Sequence, residues 1–108
     1  MPILGHYMAF NRANLLGVTT EEGVYELYGD GETLYFGWSE DDLLGIRGRL
    51  ECHLSGELEP GGEEATHFRF EINTRPEAHI EDLLTEFEHE HGVLPKYNAS
   101  SATEAKSA

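Results

Sequence analysis

The sequence predicts an α+β fold: a small, mainly antiparallel three-stranded sheet flanked by helices. Three observations carry that prediction. Two short runs rich in aromatic and β-branched residues, Gly23 to Tyr28 and Glu32 to Trp38, are separated by Gly29-Asp30-Gly31. A third run, Thr66 to Asn73, alternates strictly between apolar and polar positions. Two further stretches space their apolar residues at helical intervals, and such stripes need a sheet to pack on.

The first two runs form a tight β-hairpin, because the Asp-Gly pair between them supplies the positive φ that a short turn requires. Its strands carry Tyr25 and Tyr35, placed to share one face of the sheet. Before the hairpin, Asn11 can cap one or two helical turns ending near Gly17. After it, Ser39 with Asp42 three residues on resembles a helix start. Gly45 and Gly48 weaken that helix, so its firm part runs from about Ile46 to Gly56. Ile46, Leu50 and Leu54 make its buried stripe, while Arg49 and His53 lie one turn apart on another face.

Ser55 to Ala65 reads as a loop around Pro60-Gly61-Gly62. Thr66, Phe68, Phe70 and Ile72 form the apolar face of the last strand. Thr74 with Glu77 three residues later and Pro76 in the first turn signals a second helix. It runs to about His91, buries Ile80, Leu83, Leu84 and Phe87, and stops at Gly92. Leu94 to Asn98 is expected to be extended.

Length and charge bound the function. A chain of 108 residues is one domain. Residues 1–22 read as an N-terminal extension packing on the domain, 23–98 as the domain, and 99–108 as a disordered tail. No apolar run approaches the roughly 18 residues of a membrane span. A single cysteine, Cys52, forms no internal disulfide, which suits a cytoplasmic protein. The net charge of −14, with only seven Lys and Arg, counts against a broad grip on a phosphate backbone.

Read alone, Tyr25 and Tyr35 are ordinary strand residues, and Arg49 and His53 an ordinary solvated helix face. Glu81 lies among five other acids between Glu77 and Glu90. His89 and His91 fall on different helix faces and make no zinc set with His79. Cys52 has no base partner to activate it.

Taken together and in order, Gly23-Val24-Tyr25, Tyr35-Phe36-Gly37, Arg49-Leu50-x-x-His53, a glutamate early in the second long helix and Pro95-Lys96-Tyr97-Asn98 resemble the GIY-YIG nuclease superfamily, over roughly Gly23 to Asn98. The resemblance implies a divalent-metal-dependent endonuclease that hydrolyses phosphodiester bonds of DNA or structured nucleic acid, with Mg²⁺ or Mn²⁺ as cofactor. It implies that Tyr25 and Tyr35 line the site and that one of them helps activate the attacking water. Arg49 would neutralise charge on the phosphoryl oxygens, and His53 would shuttle a proton. Glu81 would hold the metal, with Glu86 as the alternative ligand, and Gly37 and Asn98 would support the site. The chain departs from the pattern at Trp38, where the family often has a cation. The spacing from Tyr35 to Arg49 is also longer than the family's commonest. Two other functions fit the same residues: a catalytically inactive binding module of this fold, and a homo-oligomer that buries its tyrosine face.

Overall fold

The computed structural model describes residues 6–40 and 44–98. Along the chain the elements are β1 (Met8–Ala9), α1 (Arg12–Leu15), β2 (Gly23–Gly29), β3 (Glu32–Ser39), α2 (Gly45–Ser55), β4 (His67–Ile72) and α3 (Pro76–His91). The four strands form one antiparallel sheet in the order β1-β4-β2-β3. The class is α+β, but the sheet has four strands and not three. The added strand, β1, comes from the segment ahead of the hairpin. Two residues are too few to show any alternation, so the pairing of Met8 with Phe68 and Ala9 with His67 leaves no periodic mark in the sequence.

The hairpin turns through Asp30 and Gly31, both at positive φ (53° and 78°), which matches the right-handed twist of the strands it joins. Pairing shifts between Leu27 and Tyr28, where Leu34 is skipped on β3. The bulge turns Leu34 into the cluster that holds its non-neighbours Tyr25 and Leu27.

Each face of the sheet has its own core. On one, Tyr25, Leu27 and Phe68 pack with Phe10, Leu15, Val18, Ile46 and Leu50 from the N-terminal segment and α2. On the other, Val24 and Phe36 pack against Ile80 and Leu83 of α3, with Trp38, Leu84 and Phe87 half-buried beside them. Complete burial of a residue such as Leu15, Ile46 or Leu50 is worth about 1.5–3 kcal/mol. For α2 that outweighs the roughly 1 kcal/mol by which each of Gly45 and Gly48 disfavours a helix.

Neither side-chain cap expected at a long helix is made. Ser39 ends β3 and Asp42 lies outside the described residues, while Leu44 precedes α2 without a capping bond. Ahead of α3 the cap position is Arg75, again without a side-chain bond. Pro76 opens the helix and the Asn73 side chain accepts the Arg75 N–H instead. Residues 96–98 are helical and not extended, with the Asn98 N–H returning to the Pro95 carbonyl. The expected tail, 99–108, lies outside the described residues.

Candidate functional site

Tyr25, Tyr35, Arg49 and His53 meet in one hollow of about 520 Å³, with Trp38, Gly56, Glu57, Leu58, Glu59 and Tyr97 completing its lining. Two strands and one helix build it. Tyr25 and Tyr35 come from β2 and β3, with ring centroids 6.1 Å apart. From α2, His53 is fully buried and exposed Arg49 stands one turn earlier. The imidazole packs 5.5 Å from the Tyr25 ring and 5.3 Å from the Tyr35 ring.

The protonation state of the cluster follows from its hydrogen bonds. His53 Nδ1 lies 3.1 Å from the Pro60 carbonyl, which can only accept, so Nδ1 carries the proton. Burial pushes the His53 pKa down from 6.5 to about 4, and the Arg49 charge adds to that shift. The ring is therefore neutral at pH 7 and its Nε2 is an acceptor. The Tyr25 hydroxyl donates to that nitrogen at 2.8 Å. Burial holds the Tyr25 pKa well above the usual value and raises that of Tyr35, while the Arg49 guanidinium opposes both shifts. The product is a neutral base aimed at a phenol, beside a cation able to stabilise developing negative charge.

Gly37 lets the tyrosine reach this position. It is the β3 partner of Tyr25, whose ring folds over it. A Cβ at position 37 would lie 2.2 Å from the Tyr25 Cζ and 2.4 Å from its hydroxyl oxygen.

Glu81 is not part of this hollow. It lines a neighbouring one of about 720 Å³ with Glu22, Glu40, Thr74, Arg75 and Glu77, and Trp38 stands between the two as a shared wall. Glu86 lines neither. Among the described residues no three His, Cys, Asp or Glu side chains converge to hold a metal ion.

Asn98 acts on the backbone. Its side chain accepts the Phe36 N–H at 2.8 Å and donates to the Phe36 carbonyl at 2.9 Å, fastening the segment after α3 to the outer edge of β3. Cys52 is held passive, its thiol pKa raised by burial and by a hydrogen bond to Glu57.

Three features, two in the site and one on the far side of the sheet, carry no motif in the sequence. The Pro60 carbonyl that fixes the His53 tautomer is a backbone group, so no side-chain motif reports it. Glu57 and Glu59 enter the hollow from the loop that follows α2, and only their closeness to His53 in sequence hints at this. On the opposite face of the sheet, the buried Glu26 carboxylate accepts from Arg69 Nε (2.6 Å), the Tyr7 hydroxyl (2.7 Å) and the Thr33 hydroxyl (2.6 Å). A carboxylate in the middle of the otherwise apolar run Val24 to Tyr28 was the available signal. Burial and the Glu26 bond raise the Tyr7 pKa to about 12, so this phenol stays a donor. Among the described residues no helix is long and apolar enough to cross a membrane. Comparison with known protein families, curated proteins and solved structures finds no match to this chain.

Proposed function

We propose that this protein is a GIY-YIG-type endonuclease that hydrolyses phosphodiester bonds of DNA or structured nucleic acid. The reading rests on one observation above all: the Tyr25 hydroxyl donates to a neutral His53 in the same hollow as Tyr35 and Arg49. In the proposed reaction a water in the hollow gives a proton to the Tyr25 oxygen as Tyr25 passes its own to His53 Nε2. The hydroxide attacks phosphorus, the P–O bond to the leaving sugar oxygen breaks, and that oxygen takes a proton from solvent. Arg49 neutralises charge gathering on the phosphoryl oxygens. Bound Mg²⁺ or Mn²⁺ would supply further charge neutralisation, but Glu81, the ligand the resemblance implies, lines the neighbouring hollow, so no step is routed through a metal.

The test is cleavage of supercoiled plasmid and branched DNA in Mg²⁺ or Mn²⁺ by wild type and Arg49→Ala. Loss of a charge-stabilising group at the reaction centre is expected to slow nicking about 100-fold or more. Equal nicking by both proteins would remove Arg49 from the site.

The position of Glu81 beyond Trp38, with Glu57 and Glu59 on the wall of the hollow, favours a second reading: a non-catalytic binding module of this fold. Folded wild type that cuts none of these substrates at any salt concentration would select it.

A further inference from the structure

A groove of about 810 Å³ runs beside α2 and meets the tyrosine hollow at Arg49 and Glu57, which line both. Gly45, Gly48, Cys52 and Ser55 form its helix wall, Leu44 adds an exposed apolar surface, and Arg12 stands on the α1 side. Arg12 is held there by packing that has nothing to do with its own charge. Leu15, one turn on, is completely buried in the core. Arg47 of α2 donates to the Val18 and Leu16 carbonyls, riveting the end of α1 to α2.

The few cations of this acidic chain are not equivalent. Arg47 is spent on those carbonyls, Arg69 on Glu26 and Lys96 on Glu64. Among the described residues, Arg12, Arg49 and Arg75 remain without a carboxylate ion pair. Arg75 sits in the hollow with Glu22, Glu40, Glu77 and Glu81. Arg12 and Arg49 thus remain as the pair placed along one continuous surface that leads from the candidate site.

We infer, resting on the nuclease reading, that a single nucleic-acid strand leaves the hollow over Arg49 and follows α2 to Arg12, which holds a phosphate away from the one attacked. Arg12 is a positioning residue in this scheme, outside the 23–98 region that the sequence resemblance covers. A wall of small side chains lets the strand lie close to the helix. Glu51 and Glu57 on the same groove oppose it and only two arginines meet phosphate, so binding is weak and its salt slope shallow, about 1.4.

The experiment is binding and steady-state cleavage of a fluorescein-labelled single-stranded deoxyoligonucleotide across a salt series. The proteins are wild type, Arg12→Gln, Arg12→Lys, Arg49→Gln and Glu51→Gln, with circular dichroism to confirm folding. Arg12→Gln is expected to weaken binding and raise KM at unchanged kcat, and to lower the slope of log affinity against log salt by about 0.7. Arg12→Lys restores the slope, Glu51→Gln tightens binding, and Arg49→Gln lowers kcat. If Arg12→Gln matches wild type in KM and slope while Arg49→Gln loses rate, the strand path is wrong and the nuclease reading stands. Binding with an Arg12-dependent slope but no cleavage retains the path and overturns the nuclease. Wild type that neither binds nor cuts overturns both.

Discussion

The Tyr25 hydroxyl and the His53 Nε2, 28 residues apart in sequence and 2.8 Å apart in space, hold each other in one protonation state. With Nδ1 committed to Pro60, the imidazole has one way to satisfy Nε2, and the buried phenol has one partner in reach. Tyr25→Phe keeps the ring and removes the bond. It leaves a buried acceptor unsatisfied, at a cost of about 1–3 kcal/mol in urea unfolding. An unchanged midpoint would mean that solvent replaces the phenol and that the pair is not closed.

Stability should depend on pH through His53. Its folded pKa of about 4 lies below the ordinary 6.5, so between these values the unfolded chain binds the proton and the folded one does not. The contribution is complete above pH 6.5 and drains away as pH falls toward 4. At pH 5 it is reduced by about 2 kcal/mol. Urea melts of wild type and His53→Gln at pH 7 and pH 5 check this, and the gap between the proteins should narrow at pH 5. A constant gap would assign the acid sensitivity to other groups.

Gly37→Ala tests the close approach of Tyr25 to β3. The Tyr25 ring is enclosed by the core and bonded to His53, so it cannot swing aside to relieve a contact near 2.2 Å. Overpacking of this kind costs about 1–3 kcal/mol, and here it also breaks the phenol–imidazole bond. The expected result is a lower Tm together with loss of any nuclease activity. A variant with wild-type Tm and activity would show that the sheet relaxes there freely.

Arg69→Ala is expected to be the most damaging of these changes. Arg69 faces Glu26 directly across β2 and β4, and its guanidinium also lies 4.5 Å from the Tyr7 ring centroid. Removing it strands a carboxylate only 1% exposed, a loss of about 3–5 kcal/mol for a buried pair broken on one side. Replacing both charges together, with Glu26→Gln and Arg69→Met, should recover much of that loss. Equal stability of the single and double variants would argue that the Tyr7 and Thr33 hydroxyls carry the carboxylate by themselves.

Much of this geometry was legible in the sequence because local chemistry and tertiary packing agree there. The Asp30-Gly31 turn, the alternation through Phe68 and Phe70, and the stripe at Ile80 and Leu83 each follow from residue type and spacing. The convergence of Tyr25, Tyr35, Arg49 and His53 followed from a motif order with no single strong signal. What escaped is non-local or belongs to the backbone. Pairing sets the fate of Met8 and Ala9, and the Pro60 carbonyl has no side-chain signature. Thr74 was an attractive cap in sequence, yet Asn73 took the bond. Glu81 shares a helix with the core residue Ile80, but it lines a separate hollow that has only Trp38 in common with that of the tyrosines.

Asn98 has a consequence for how these molecules meet one another. β3 is an outer strand of the sheet, and the side of such a strand is a template on which another chain can lay its own backbone. The Asn98 amide meets the Phe36 N–H and carbonyl as a peptide group of a fifth strand would. A neighbour trying to extend the sheet there must first evict a buried side chain. At the other margin, β1 offers only two residues to copy. A single carboxamide from the segment after α3 thus helps keep a crowded solution of this protein from knitting itself into ribbons.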